Sequence, residues 1–539
     1  MPTIEEVAKL FPLPVPRDGQ LETIKWILDT FASGKRIAVL EAPTGAGKSA
    51  IAITAALFFP DSYYITANKS LQDQLCSDFG EQGKRARLLV DLKGRNAYEC
   101  LHNPDPRVNT ALSIQKWNIT APHSCADGHC RLKDKSFYPT CINNKSCPYY
   151  EQVQKAQTSP ICLMNFSSFL YQTAFTKRFS SRQLMVIDEG HNIEPQLMNF
   201  VSLSVSDADF TIPLPEYNTP EQYAVWLVDN KIIDDLTKKL YEARDDEDAR
   251  RTEELESQIN KMNGFIKEMS EDDHGQWIVE FTETRTGRRA AFKPVFISKY
   301  ARQLLFNYGG YVLIMSATIL DVNIVARSLG INKSELASKR MGCKFPVEKR
   351  PIYYKPVAKI TGGKSSIDRW GKQLTTAVND IVRQYAGKKG IIHTHNFYIA
   401  EMLVNNCDND VKQRMLYQKE FRTKTEMLDH HTTTQDTVLV APAMHEGIDL
   451  AGDLSRFQII CKVPFPNQFE DKQLAARMEV DPQFYEWLTA LKLVQASGRS
   501  VRSETDWADT YIIDESFGWW YRKNRKMLPA WFVEALSGI

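Results

Sequence analysis

The chain has 539 residues, 43% of them hydrophobic and 25% charged, with a net charge of +1. That length exceeds one compact core, so about two to four domains are expected, and the ordinary composition excludes an extended or low-complexity chain. No apolar run approaches the ~20 residues of a membrane span, while near-neutrality leaves room for a locally basic nucleic-acid groove.

The start, "MPTIEEVAKLFPLPVPRDGQ", is acidic and Pro-rich, unlike a signal or transit peptide. A cytoplasmic or nucleoid-associated setting is expected, in which thiols stay reduced and disulfides are disfavoured. "KRIAVLEAPTGAGKSAIAITAALFF" predicts a strand from Ile37 to Leu40, a small-residue loop and an Ala/Ile-rich helix. "SYYITANKSLQDQLCSDFG" repeats the strand-then-helix plan. A polar stretch over residues 93–160 follows, holding Cys100, Cys125, Cys130, Cys141 and Cys147. "QLMVIDEGH" is then a strand ending at Asp188. Segment 195–299 is charged, but Leu236, Leu240, Leu255, Ile259, Met262 and Ile266 recur at helical spacing and predict a helical hairpin with a solvated face. "YVLIMSATI" from Tyr311 resumes the strands, and "GKKGIIHTHNF", "DTVLVAPAM", "FQIICKVPF" and "ADTYIIDES" form a second series. Strands alternating with helices argue for an α/β fold of parallel sheets, with ligands at the carboxyl ends of the strands.

"APTGAGKS" sits between strand and helix, the context in which a phosphate loop is credible. Ala42, Pro43, Thr44, Gly45, Ala46 and Gly47 would wrap a phosphate chain with backbone amides, Ala42 standing where the GxxxxGK[ST] pattern has its first glycine. Lys48 would reach the β- and γ-phosphates of ATP, and Ser49 would ligate Mg²⁺. Asp188 would hold the same metal, and Glu189 would polarise the attacking water as general base. In "QASGRSVRSETDWAD", Gln495, Arg499 and Arg502 are spaced to share one helix face. Arginines aimed across a cleft at a γ-phosphate make hydrolysis depend on domain closure.

Taken in order, these stretches resemble the superfamily-two helicases of the iron–sulfur branch, the XPD/DinG-like group. "RDGQ" is similar to that group's Q motif, "APTGAGKS" to motif I, "TANKSLQDQ" to motif Ia and "VIDEGHNIE" to motif II. "MSATI" is similar to motif III, "HEGIDLAGD" to motif V and "QASGRSVR" to motif VI, whereas "IIHTHNF" matches motif IV poorly and carries no role. Gly190 replaces the group's usual alanine, a change from which little effect is expected. The resemblance implies two RecA-like motor domains, at 1–92 with 161–194 and 300–350, and at 351–539. It also implies an iron–sulfur domain at 93–160 and a helical arch at 195–299; with little chain outside the motifs, no added nuclease domain is expected. By position it puts Gln20 at the adenine, Ser316 and Thr318 between the domains, and Glu446, Gly447 and Asp449 between nucleotide and strand. The implied activity is ATP-dependent translocation 5′ to 3′ on single-stranded DNA and unwinding of forked DNA by a monomer, in a DNA repair or replication setting. A non-unwinding nucleic-acid-stimulated remodeller and an RNA–DNA hybrid helicase are the alternatives.

The same resemblance gives the cysteines a [4Fe–4S] cluster. "KGRNAYEC" and "CPYY" look like the borders of the group's cluster insertion, which makes Cys100 and Cys147 ligands. Iron–sulfur ligation needs no fixed CxxC spacing, whereas a Cys₄ zinc site usually has two close pairs, a pattern that Cys100 breaks. Similarity to group members favours Cys130 and Cys141 as the remaining ligands, with Cys125 in place of Cys130 as the alternative. Basic and aromatic residues interleave here, among them Lys93, Arg95, Tyr98, Lys116, Trp117 and Arg131, a mixture suited to backbone contact and base stacking.

Overall fold

The computed structural model describes residues 2–84, 87–100, 124–126, 147–210, 212–246, 248–272, 274–285, 287–360, 367–442, 450–501 and 505–539. The first strands in chain order are β1 (Ile37–Glu41), β2 (Ser62–Thr66), β3 (Val90–Asp91), β4 (Ile161–Asn165) and β5 (Arg182–Ile187). Next come β6 (Leu203–Ser206), β7 (Trp277–Thr284) and β8 (Gly287–Pro294), then β9 (Gly309–Ser316) and β10 (Leu336–Arg340). The second half supplies β11 (Ile352–Ala358), β12 (Gly390–His393), β13 (Met415–Tyr417), β14 (Val438–Ala441), β15 (Phe457–Ile460), β16 (Asp509–Asp514) and β17 (Leu536–Ser537).

Two seven-stranded sheets carry the two lobes, ordered β10-β1-β9-β5-β2-β4-β3 and β13-β14-β12-β15-β16-β11-β17. Their strands pair in parallel. β1, β2 and β4 are buried along their whole length, as parallel strands covered on both faces must be. This is the α/β architecture expected from the strand–helix alternation. In the first sheet β9 lies between β1 and β5, with Glu41 opposite Ser316 and Ile187 opposite Ile314. That order brings the carboxyl ends of three strands together.

The insertion after β5 adds a sheet to the expected helical arch. It contains helices and a three-stranded antiparallel sheet, ordered β6-β8-β7. The hairpin helices are present at Ile232–Asp245 and Ala249–Met269, and Leu236, Leu240, Leu255 and Met262 are buried as their spacing requires. The strands escape a helical-period reading because Trp277 and Val279 alternate with less buried neighbours over only a few residues. Among the described residues no helix is long and apolar enough to cross a membrane.

The lobes share apolar packing. One continuous cluster joins Ile187, Ile314 and Ile319 of the first lobe to Phe484, Trp487, Leu491, Phe517 and Trp520 of the second. The opposite face of the second sheet has its own cluster, built around Leu374, Ile392, Leu403 and Phe457.

Candidate active site

Helix α1 (Gln20–Ala32) precedes β1, and α2 (Lys48–Ala56) follows the loop that leaves it. Gly45 (φ 81°) and Gly47 (φ 76°) both hold left-handed backbone, which the curled loop requires and glycine adopts without strain. Ala42 is fully buried and outside that region, so alanine is accommodated there. Ala42 N–H donates to Ser316 O at 2.9 Å, fastening the loop to the end of β9. Lys48 Nζ donates to Ala42 O at 3.3 Å, folded back over the loop that a phosphate would enter.

Gln20, expected at an adenine, bonds the loop itself. Its Nε2 donates to Ala46 O at 2.9 Å, while its Oε1 accepts from Arg17 N–H at 2.7 Å. The Arg17 guanidinium also donates to Gly45 O. A Cβ on Gly47 would lie 2.3 Å from Gln20 Nε2, so the loop and the segment before α1 fit closely.

Asp188 directly follows β5, and its backbone N–H donates to Ile65 O at 2.8 Å. Its carboxylate accepts from Glu189 N–H at 2.9 Å and from the Tyr64 hydroxyl at 3.3 Å, and Tyr64 also bonds Ser49. Burial first, and then the charge of Glu189, push the Asp188 carboxyl up to about 6, with Lys48 opposing. A divalent cation on bound nucleotide would oppose that rise and favour the ionised form. Glu189 holds φ 53°, left-handed backbone in a non-glycine residue and a strain typical of functional turns.

From this turn a polar chain reaches the other lobe. His191 Nδ1 lies 3.5 Å from Glu189 Oε2 and 2.8 Å from Ser316 Oγ. Thr318 N–H donates to Ser316 Oγ at 3.0 Å, and Gln495 Nε2 donates to Thr318 Oγ1 at 3.4 Å. Thr318 thus meets the second lobe through Gln495, and Ser316 links it back to His191. His191 and Tyr64 were not singled out in the sequence, although His191 stands within the quoted "VIDEGH".

Two expectations change. The helix bearing Gln495 ends at Ser497 and is closed by Gly498, so Arg499 lies beyond it in a turn and shares no helix face with its neighbours. Arg502, Glu446, Gly447 and Asp449 lie outside the described residues. Gly190 is also no neutral replacement for alanine. A Cβ there would sit 2.3 Å from Ile314 Cγ2 and 3.4 Å from Met315 O, because the turn packs straight onto β9. Gly190→Ala is therefore expected to destabilise the protein by about 1–3 kcal/mol through overpacking, measured as a lower urea midpoint at unchanged m.

At the cysteines, helix α3 (Pro148–Thr158) starts directly after Cys147, with proline at its first position. The Cys125 thiol lies 4.0 Å from Cys147 Sγ and 3.3 Å from Glu99 O. Its hydrogen bond and the amides of Tyr150 and Tyr149 bring the Cys147 thiol down to about 6 in spite of burial. Cys125 is pushed up, first by its bond to Cys100 and then by that to Cys147. An isolated bridge between Glu99 and Ser124 brings the two segments together. Cys125, the alternative to Cys130, is thus the thiol grouped with Cys100 and Cys147 among the described residues, and Cys130 and Cys141 lie outside them. Among the described residues no group of three or more His, Cys, Asp or Glu side chains is arranged to hold a metal ion. The donor chemistry, a Cys125 thiol bonded to both Cys147 and Cys100 with Cys147 eased towards thiolate at a helix N-terminus, is of the soft sulfur kind that an iron–sulfur group takes.

Comparison with known proteins agrees with this geometry. Residues 122–210 match the DEAD_2 family, and residues 382–535 match the helicase C-terminal domain family Helicase_C_2. The chain is 21% identical to the "Probable ATP-dependent helicase" of Methanocaldococcus jannaschii, over 95% of this chain and 94% of that protein. Its fold is similar to that of a solved XPD helicase, with a TM-score of 0.62 at 15% identity, covering 96% of this chain and 99% of the other. It is also similar to the XPD protein of S. tokodaii, with a TM-score of 0.57 at 12% identity, covering 97% and 99%. Both of these domain families thus match in this order, on a fold similar to that of the solved XPD helicases.

Proposed function

We propose that this chain is an ATP-dependent DNA helicase that moves 5′ to 3′ on single-stranded DNA and opens forked duplex. The observation that carries the reading is the polar chain from Glu189 through His191, Ser316 and Thr318 to Gln495. It joins a phosphate loop and its acidic turn to the second lobe, the connection a hydrolysis-driven motor needs. Lys48 and Ser49 would hold the phosphates and Mg²⁺, Asp188 the same metal and Glu189 the attacking water, with Arg499 and Arg502 meeting the transferring charge from the second lobe. The name of the archaeal relative and the helicase C-terminal domain support the same activity. Sheet membership supports the division into two motor lobes, a cysteine-bearing insertion and an arch.

The cysteine insertion would hold a [4Fe–4S] cluster through Cys100, Cys125 and Cys147, with a fourth thiolate from Cys130 or Cys141. Bound there, the cluster would act as a structural core that shapes the knob parting the strands.

ATPase rate and unwinding of labelled duplexes with a 5′ or a 3′ tail test the reading. ATP hydrolysis should rise at least about tenfold on adding single-stranded DNA, with only the 5′-tailed fork opened. Hydrolysis stimulated by nucleic acid without unwinding would point instead to a remodeller. Preferential stimulation by RNA or opening of RNA–DNA hybrids would point to the hybrid specialist.

A further inference from the structure

Helix α4 (Ile193–Val201) leaves the Asp188–Glu189 turn and carries Glu194 in its first turn. In the second lobe α5 (Lys472–Val480) runs almost directly into α6 (Pro482–Ser497), the helix that ends before Arg499. Glu194 Oε1 lies 2.9 Å from Nη1 of Arg477 on α5, and its other oxygen accepts from the Ser328 hydroxyl. Arg477 is only 1% exposed, its guanidinium 4.2 Å from the ring centre of Phe484 and 4.8 Å from that of Phe296. Burial pushes the Glu194 carboxyl up, and the Arg477 charge opposes it. Parting such a pair would leave an uncompensated ion in apolar surroundings, so both helices must move as one body.

The same helix pair is bonded a second time, at the end of β9. Trp487 Nε1 donates to Ile319 O at 2.9 Å, and Gln495, in the last turn of α6, donates to Thr318. Motif II is thus joined to α5 and motif III to α6. A nearby pair at the same interface, Arg327 with Asp481 at 3.1 Å, has its guanidinium half-exposed, so water screens it more than the buried Glu194–Arg477 pair.

We propose that Arg477 is a positioning residue for ATP hydrolysis: paired with Glu194, it holds the helix pair that ends before Arg499 in register with the turn carrying Asp188 and Glu189. This rests on the ATP-driven reading above. It also makes the joint a pivot, because any swing of the second lobe must leave this contact closed.

The test uses full-length Arg477→Met, Arg477→Lys and the double variant Glu194→Gln with Arg477→Met, with Arg327→Ala as control. DNA-stimulated ATPase and thermal unfolding are measured on each. Arg477→Met should lower kcat at least about tenfold with KM for ATP within about twofold. Arg477→Lys keeps the charge but loses the planar fork and its stacking, and should also lower kcat while staying folded. The double variant has no unpaired buried charge and should regain its melting temperature yet keep the low kcat. Arg327→Ala should match wild type. A double variant whose kcat recovers along with its melting temperature, or a folded Arg477→Lys with normal turnover, would overturn the proposal. A wild-type chain without ATPase activity would instead remove the functional reading, and the joint's role with it.

Discussion

Glu189→Gln is expected to lower ATP turnover by about 10²–10⁴-fold, the range lost with a positioned general base. The change removes a charge and keeps the side chain's shape, so the turn at φ 53° and the approach to His191 should survive. Nucleotide binding should remain near wild type, because the phosphate loop, Lys48 and Ser49 are untouched. Lys48→Ala is the complementary case. It deletes the cation folded over the loop and should weaken nucleotide binding as well as abolish turnover. Paired titrations with a fluorescent ATP analogue and steady-state ATPase assays separate the two outcomes. Normal hydrolysis by a pure Glu189→Gln sample would refute the assignment of the base.

Cys125→Ser and Cys147→Ser are each expected to lose the visible charge-transfer absorption and the iron of anaerobically purified protein, about four irons per chain in the wild type. Cys147 is the best placed to ionise, with its thiol at about 6, and Cys125 touches both of its described partners. Cys461→Ser is the control, since that thiol is fully buried in the second lobe and raised by burial. Iron retained in Cys125→Ser but lost in Cys130→Ser would restore the ligand set that resemblance alone favoured. Zinc in place of iron would reassign the site to a tetrahedral metal.

Much of the first lobe was legible in the chain because its signals are local. An apolar run, a glycine-rich loop and a helix occupy adjacent residues from Ile37 to Ala56, and strand burial forces that pattern into composition. Asp188 could be placed because it ends a continuous apolar strand. What stayed hidden depends on partners far away in sequence. Glu194 and Arg477 are 283 residues apart, and no periodicity links them. The close fit of Gly190 against Ile314 appears only once β5 and β9 are known to be neighbours. Arg499 was misplaced for a different reason: spacing was read as helical across Gly498, where the helix stops.

The apolar cluster shared by both lobes limits how the molecule can be dissected. Phe484, Trp487, Phe517 and Trp520 complete a core that starts at Ile187 and Ile314. A carboxyl-terminal fragment produced alone would expose that aromatic surface to water and tend to aggregate, although its other face is sealed by its own cluster. Heating or denaturant should accordingly melt both halves in a single cooperative transition.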